Sequence, residues 1–313
     1  MTATIRRNII PKNAPKHKII FFQSFEGIDN LIEWINKHRV AKDEYKRFPK
    51  RLLEINFSRV KHLKPYHIAS LSCLIHEYQS KGFAIKIKKA STLVQNYLDS
   101  FGFNQFCSKK YKNNFWQPND EKIFPLWKIE QEKVALYPNK IQEYFERNQF
   151  NGKSLSALSI SLAELLNNVF DHSGSSISGY TFTQYNSTTN SIIVSVCDFG
   201  VGIPNKVNEY LQSKGETLLG NMEALKKAFQ NRFSTQSKPH NRGFGLDNIL
   251  SNVKALNSKM LILSNNSLYR LLDDEESFYE RGVYFPGTLV VIWLDTKKLP
   301  EREEILTDEM DLL

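Results

Sequence analysis

Cysteine is scarce in this chain of 313 residues: Cys73, Cys107 and Cys197 are the only three. They are widely spaced and match neither a disulfide framework nor a zinc pattern, so each reads as a small core residue. Long apolar runs are lacking as well. No stretch approaches the roughly 18 apolar residues of a membrane-spanning helix. The opening MTATIRRNIIPKNAPKHK carries charge without an apolar secretory core. The cytoplasm is therefore the expected location, with no membrane partner. Internal repeats are missing, and so are two familiar phosphate-binding signatures. No Gly-Lys-Ser/Thr of a Walker loop occurs, and no glycine-rich dinucleotide fingerprint sits in a βαβ setting with its downstream acidic residue.

What is present is ordinary globular material, 41% hydrophobic and 24% charged, in a length that suits two domains. The net charge of +9 is unevenly placed. Residues 1–110 hold half of the 42 Lys and Arg but only about a quarter of the 33 Asp and Glu. A basic first half suits an acidic protein partner or a nucleic acid. Aromatic residues are not interleaved with the charges, so a solvated Lys-rich surface explains them equally well, and nucleic acid is the less favoured partner. Oligomeric state stays open, a homo-oligomer included.

Residues 1–17, with Pro11 and Pro15 among Lys and Arg, suggest a loose basic arm. Strand, helix, strand, helix then follow: KIIFF (18–22), a helix from Gly27, RLLEINFS (51–58), and a helix over 65–82. Pro65 lies near the start of that helix and Gly82 at its stop. A strand at 83–89 and a helix capped by Ser91 and ended by Gly102 complete a small mixed α/β layer over 18–107. Residues 108–150 are aromatic, Pro-punctuated and irregular apart from a short helix at 138–148. The domain junction is expected there, with Phe115, Trp116, Phe124 and Trp127 buried between domains. A second domain, 151–297, opens with a helix over 153–172. Strands follow at 178–185 and 191–198, then a loop-and-helix insertion at 203–241 and a helix at 246–257. The last strands are 259–264 and 288–295, with a hairpin at 267–272. Residues 298–313 form an acidic tail.

Three segments of the second domain carry chemistry. In SLAELLNNVFDHS, Glu164, Asn168 and His172 recur every four residues and share one helical stripe, while Leu162, Leu165, Leu166, Val169 and Phe170 fall largely elsewhere. A carboxylate, an amide and an imidazole so placed suit a hydrated metal and a polyphosphate; a solvated helix face is the plain alternative. Asp198 ends an apolar strand and is followed by Gly200 and Gly202. It can accept the exocyclic amine of adenine while bare backbone turns beneath the base, or it can be a simple strand-ending turn. Gly243 and Gly245 precede a helix start at Leu246, where backbone N–H groups and the helix dipole favour phosphate oxygens.

In this order the segments resemble the GHKL superfamily: type II topoisomerases, the heat-shock chaperone ATPase, mismatch-repair ATPases, histidine kinases and anti-sigma factor kinases. The N-box corresponds to Glu164, Asn168 and His172. The G1 box is Asp198, Gly200 and Gly202, the G2 box is Gly243, Gly245 and Leu246, and Gly287-Thr288 opens the last strand. The resemblance covers roughly 150–296 and implies a Bergerat-type α/β sandwich binding ATP and Mg²⁺. It implies that Asn168 coordinates the metal, that Asp198 and, through water, Thr288 recognise adenine, and that Gly243 and Gly245 bind phosphate. Residues 203–241 are the implied ATP lid, with Ser234, Thr235, Lys238 and Arg242 as phosphate contacts. Glu164 matches the general base of the hydrolytic and anti-sigma-kinase members. A histidine kinase is disfavoured, because no His stands in the region immediately before the N-box.

Residues 18–107 resemble, more weakly, a STAS domain, the fold of anti-sigma factor antagonists. The family's Asp-Ser acceptor pair falls here at Lys64-Pro65, and Pro65 has no hydroxyl to phosphorylate. Ser58 and Tyr66 are better read as structural. The expectation is thus an α/β chain, a STAS-like domain followed by a GHKL ATPase, whose lid closure switches binding of a protein partner docked on the STAS-like domain. Two alternatives stand beside it: a Ser/Thr kinase of a separate STAS protein, and a non-hydrolysing ATP-sensing module.

Overall fold

Apolar alternation over residues 18–88 builds a small parallel sheet. β1 (Lys18–Gln23), β2 (Leu52–Arg59) and β3 (Ala84–Lys88) lie side by side in that order. The structure, a computed structural model, describes residues 17–108, 120–130, 134–172, 177–230 and 246–302, with the backbone alone for residues 45 and 169–172. Parallel neighbours need crossover connections. Here α1 (Ile28–His38) and α2 (Glu44–Arg47) join β1 to β2, and α3 (Pro65–Ser80) joins β2 to β3. Pro65 occupies the first turn of α3, and Gly82 follows it in the left-handed region at φ +82°. The Ser91 hydroxyl accepts from Val94 N to start α4 (Thr92–Ser100), and Gly102, at φ +75°, separates it from α5 (Phe103–Cys107).

The second sheet is antiparallel and five-stranded, in the order β4-β5-β6-β8-β7. In chain order its surroundings are β4 (Ile123–Lys128), α6 (Leu136–Asn148), α7 (Ser156–His172), β5 (Tyr180–Asn186) and β6 (Ser191–Asp198). Then come α8 (Ile203–Ser213), α9 (Asn221–Ala228), α10 (Leu246–Ala255), β7 (Lys259–Leu272) and β8 (Glu275–Asp295). Successive strand residues point to opposite faces, and both faces of this sheet are covered. Ile192, Val194 and Val196 join a core with Leu158, Leu162, Leu165 and Leu166 of α7, Ile141 and Phe145 of α6, and Ile249 and Val253 of α10. Phe182, Cys197, Leu289 and Val291 face the other way, into a core shared with the first sheet.

That shared core is organised by α3. Its middle, from Ile68 to Ile75, is apolar or small on every side, including Ala69, Ser70, Ser72 and Cys73, and nearly all of the helix is buried. A helix of that composition belongs between layers. It packs on β5 and β6 on one side and on the parallel sheet on the other. The Cys73 thiol donates to the Cys197 carbonyl at 3.2 Å, and burial raises its pKa well above the ordinary range.

Three expectations need correction. The irregular stretch after residue 108 contains a strand, β4, at the edge of the five-stranded sheet. An edge tolerates Pro125, which has no N–H to give a ladder. Its register against β5 shifts between Phe124 and Trp127. The irregularity brings these two residues, three apart, into one core under α6, where Trp127 and Phe124 pack against Tyr137. They are therefore buried beneath α6 rather than between the two halves of the chain; Ile123 and Leu126 reach the shared core instead. Lastly, the strands expected to end at 264 and to begin at 288 are continuous with the hairpin expected at 267–272. β7 and β8 form one long ribbon turning at Asp273 and Asp274, both with positive φ, as a tight hairpin turn requires. Phe115 and Trp116 lie outside the described residues.

Among the described residues no helix is long and apolar enough to cross a membrane.

Candidate functional site

The end of β6 concentrates buried polar groups. Asp198 has the parity of Ile192, Val194 and Val196, so it faces the layer of α7 and α10. Register sets Asp198 opposite Thr288 of β8, and Thr288 opposite Ser264 of β7. The result is a row of three polar side chains across three strands, Asp198, Thr288 and Ser264, at 2%, 8% and 0% exposure.

Each member of the row is held. Asp198 Oδ1 accepts from Gly200 N at 2.7 Å. Ser264 Oγ accepts from Ile203 N at 2.8 Å and lies 3.0 Å from both the Gly287 carbonyl and Thr288 Oγ1. A hydroxyl has one hydrogen to give. If Ser264 gives its own to Gly287, Thr288 donates to Ser264 and keeps its lone pairs for another group. Burial pushes the Asp198 carboxyl from an ordinary 3.8 up to about 7, and the N–H groups of Gly200 and Thr288 pull it partly back. A carboxyl in that state has a strong call for a donor.

Glycine lets the backbones meet here. At Gly287, φ is +118°, and a Cβ would collide with the Asp198 carbonyl and stand 2.6 Å from Gly200 N. At Gly202, φ is +84°, and a Cβ would lie 2.5 Å from the Asn265 amide nitrogen. The loop 199–202 is thus clamped between the start of α8, strand β8 and Asn265. Asn265 Nδ2 also donates to the Val201 carbonyl at 3.0 Å.

The helices approach the same end of the sheet. α7 buries Leu158, Leu162, Leu165 and Leu166, which leaves Glu164 and Asn168 half-buried on its flank. Partial burial pushes the Glu164 carboxyl upward. His172 closes α7, and eight residues later Tyr180 pairs with Cys197, next to Asp198. The C-terminal part of α7 therefore lies toward the Asp198 end. α10 turns tightly into Lys259, which pairs with Trp293 at the opposite end of the sheet. Its N-terminus, with Leu246 buried, consequently points back toward the row.

Of the expected site residues, Asp198, Gly200, Gly202 and Thr288 come together directly. Glu164, Asn168 and Leu246 sit on helices over the same face of the sheet. The side chain of His172, and Ser234, Thr235, Lys238, Arg242, Gly243 and Gly245, lie outside the described residues. Within the expected lid, α8 and α9 pair through Val207, Leu211 and Ala224, and the loop after α9 lays Phe229 on Tyr269 and Phe278 of the ribbon. Sequence reasoning missed Ser264 and Asn265. The available signal was that two apolar runs, SIIVSVCD and KMLILS, both end on a polar residue while TLVVIWLD begins with one. Among the described residues no group of three His, Cys, Asp or Glu could hold a metal.

The described residues thus make a mixed α/β protein, a parallel three-stranded sheet backed by an antiparallel five-stranded one. No protein-family model matches the chain, and no curated protein matches it.

Proposed function

We propose that this chain is an ATP-binding regulatory protein of GHKL type, a Mg²⁺-dependent ATPase whose closure around nucleotide alters how its N-terminal, STAS-like unit meets a protein partner in the cytoplasm. The observation that carries the reading is the buried row of Asp198, Thr288 and Ser264 beside a glycine loop. A carboxyl raised toward neutrality by burial gains most from an incoming N–H donor, and the exocyclic amine of adenine is one. Thr288, with lone pairs free, suits a ring nitrogen reached through water. Glycine at 202 and 287 lets backbone close tightly around the Asp198 loop, which holds the carboxyl and the Gly200 N–H in fixed positions.

The residues present also fit the metal. Mg²⁺ keeps several waters and is usually held by one or two protein carboxylates plus substrate phosphates; here the neutral Asn168 amide oxygen would be the protein ligand and the phosphates would supply the charge. When bound, the ion supplies charge neutralisation on the phosphates. Glu164, on the same flank of α7, has a carboxyl whose pKa partial burial raises, and its role is to take a proton from the attacking hydroxyl. That hydroxyl belongs to water in an ATPase and to a Ser or Thr side chain in a kinase. In the STAS-like unit Pro65 opens α3, so the usual acceptor position has no oxygen, and the kinase alternative calls for an acceptor on a separate STAS protein.

Calorimetry with ATP and GTP tests the pocket. ATP should bind and GTP poorly, because guanine presents a carbonyl where adenine has its amine. Asp198→Asn should weaken ATP by about tenfold or more, the value of one charge-assisted hydrogen bond. Equal affinity for the two nucleotides overturns the adenine assignment. Labelled ATP then divides the chemistry: released phosphate marks an ATPase, label on an added STAS protein a kinase, and intact bound ATP a sensor. Glu164→Ala should keep ATP and lose about a hundredfold or more in turnover.

A further inference from the structure

The loop that follows Asp198 is gripped from outside its own sheet. Arg39, at the end of α1, lays its guanidinium 4.9 Å from the centre of the Phe199 ring. Arg39 is itself fixed by Glu77 of α3, through an Nε bond of 2.9 Å and a second bond from Nη2. The other Glu77 oxygen accepts from Val40 N at 3.2 Å. Phe199 is 6% exposed and meets Phe285 edge-on.

A second line of contacts reaches the loop two residues on. Asn36 of α1 donates to the Tyr284 carbonyl at 2.6 Å. The Tyr284 hydroxyl accepts from Asn265 Nδ2 at 2.9 Å, and the same nitrogen reaches the Val201 carbonyl. Arg281, three residues before Tyr284, pairs with Asp29 of α1. So α1 touches Phe199 through Arg39, and Val201 through Tyr284 and Asn265. Gly200 stands between those two points and Gly202 directly after them, and without side chains neither restricts its own backbone as another residue would.

We propose that α1 of the N-terminal unit sets the conformation of the 199–202 loop, with Arg39, Tyr284 and Asn265 as positioning residues, so that nucleotide affinity at Asp198 depends on the N-terminal unit. The proposal rests on the adenine reading of that site. Its reason is geometric: Gly200 N is a donor to Asp198, and a loop released from Phe199 and Val201 no longer presents that N–H in one place. Any molecule that engages α1 around Asn36 and Arg39 therefore changes affinity for nucleotide, and nucleotide changes affinity for that molecule by the same factor.

The test uses the full chain with Arg39→Ala, Arg39→Lys, Phe199→Leu and, as control, the exposed Lys37→Ala. Two readouts are needed: calorimetric ATP affinity, and amide hydrogen exchange at 199–203 without nucleotide. Arg39→Ala should weaken ATP by about 5- to 10-fold, the range of a partly desolvated cation–π contact, and speed exchange in the loop while central β6 amides stay protected. Arg39→Lys should fall between, since Lys keeps the charge but not the planar fork. Phe199→Leu, which keeps bulk and removes the ring face, should follow Arg39→Ala and covers the case in which that variant does not fold. Lys37→Ala should match the parent. Faster exchange in a protein that binds no nucleotide even as the parent would retain the positioning role and remove the ATP reading. Unchanged exchange, whatever the affinity does, overturns the proposal.

Discussion

The end of β6 and the start of α3 both bury a titratable side chain at a corner of the chain, and they come out differently. His67 lies in the first turn of α3, ringed by Tyr66, Phe25 and Phe22 with ring centres 4.5, 5.7 and 6.2 Å away. Its Nδ1 accepts from Lys64 N at 3.1 Å. Burial, helped by the charges of Lys64 and His62, pushes its pKa from 6.5 down to about 3. That imidazole is neutral at any physiological pH and works as a packed ring with one backbone bond. Asp198 is as deeply buried, yet its pKa of about 7 leaves it divided between charged and neutral forms. What separates the two is the company. His67 is packed among aromatic rings, whereas Asp198 stands among N–H groups, hydroxyls and glycine backbone. Burial makes a group costly to charge, and polar neighbours decide how much of the charged form survives that cost.

The comparison breaks most sharply at Gly287. Gly287→Ala places a Cβ into the Asp198 carbonyl at a φ that side chains rarely adopt, and should cost more than about 3 kcal/mol or prevent folding. Gly282→Ala, on the same strand with nothing within 4 Å, should stay within about 0.5 kcal/mol. Urea unfolding of the two variants measures the difference, and equal costs would show that the close approach of β8 to the loop is not needed.

The two buried groups should next show opposite pH slopes. Folded Asp198 holds its proton up to about pH 7 but the unfolded chain releases it near 3.8. Its contribution to stability is therefore lost as pH rises across that window, by roughly 4 kcal/mol at most. His67 works the other way: the unfolded chain takes up a proton near 6.5 that the folded one refuses down to about 3. Stability is lost as pH falls through that range, by roughly 5 kcal/mol at most. The slopes oppose each other over their shared window. Relative to the parent, Asp198→Asn should gain stability as pH rises from about 4 to 7, and His67→Gln as pH falls from about 6.5 to 3. Parallel curves for parent and variants would remove the distinction drawn between the corners.

The smallest effect belongs to Ser264. Ser264→Ala leaves Ile203 N without its acceptor and should cost about 1–3 kcal/mol, with faster amide exchange at Ile203. A silent substitution would mean that water replaces the hydroxyl and that the row is less dry than its burial indicates.

Much of the architecture was legible in one dimension because its causes are local. Pro65 and Gly82 bound α3, Ser91 starts α4, and β2 and β6 announce themselves by apolar residues bounded by turns. The long ribbon was seen only in pieces. Ser264 and Asn265 interrupt its pattern with a bulge, and beyond them exposed Arg270 and Glu280 break up a stretch in which Leu268, Tyr269 and Leu271 are buried. β4 was hidden by Pro125, which argues against a strand everywhere except at an edge, and edge position is a property of the sheet.

The sequence by itself determined which residues could act: a carboxylate closing an apolar strand, glycines after it, a Glu and an Asn four apart on a helix. Spacing along the chain suffices for that, since helix and strand periods are fixed by backbone geometry. Tertiary structure alone decided that Ser264 stands beside Thr288 and Asp198, because register between β7, β8 and β6 depends on how whole strands pack. It alone decided that α3 closes the back of the five-stranded sheet and that Arg39 rests on Phe199. Those contacts join residues more than a hundred positions apart, as Cys73 to Cys197 and Arg39 to Phe199, and no local rule of propensity or spacing links them; they follow from two apolar surfaces that must be buried against each other.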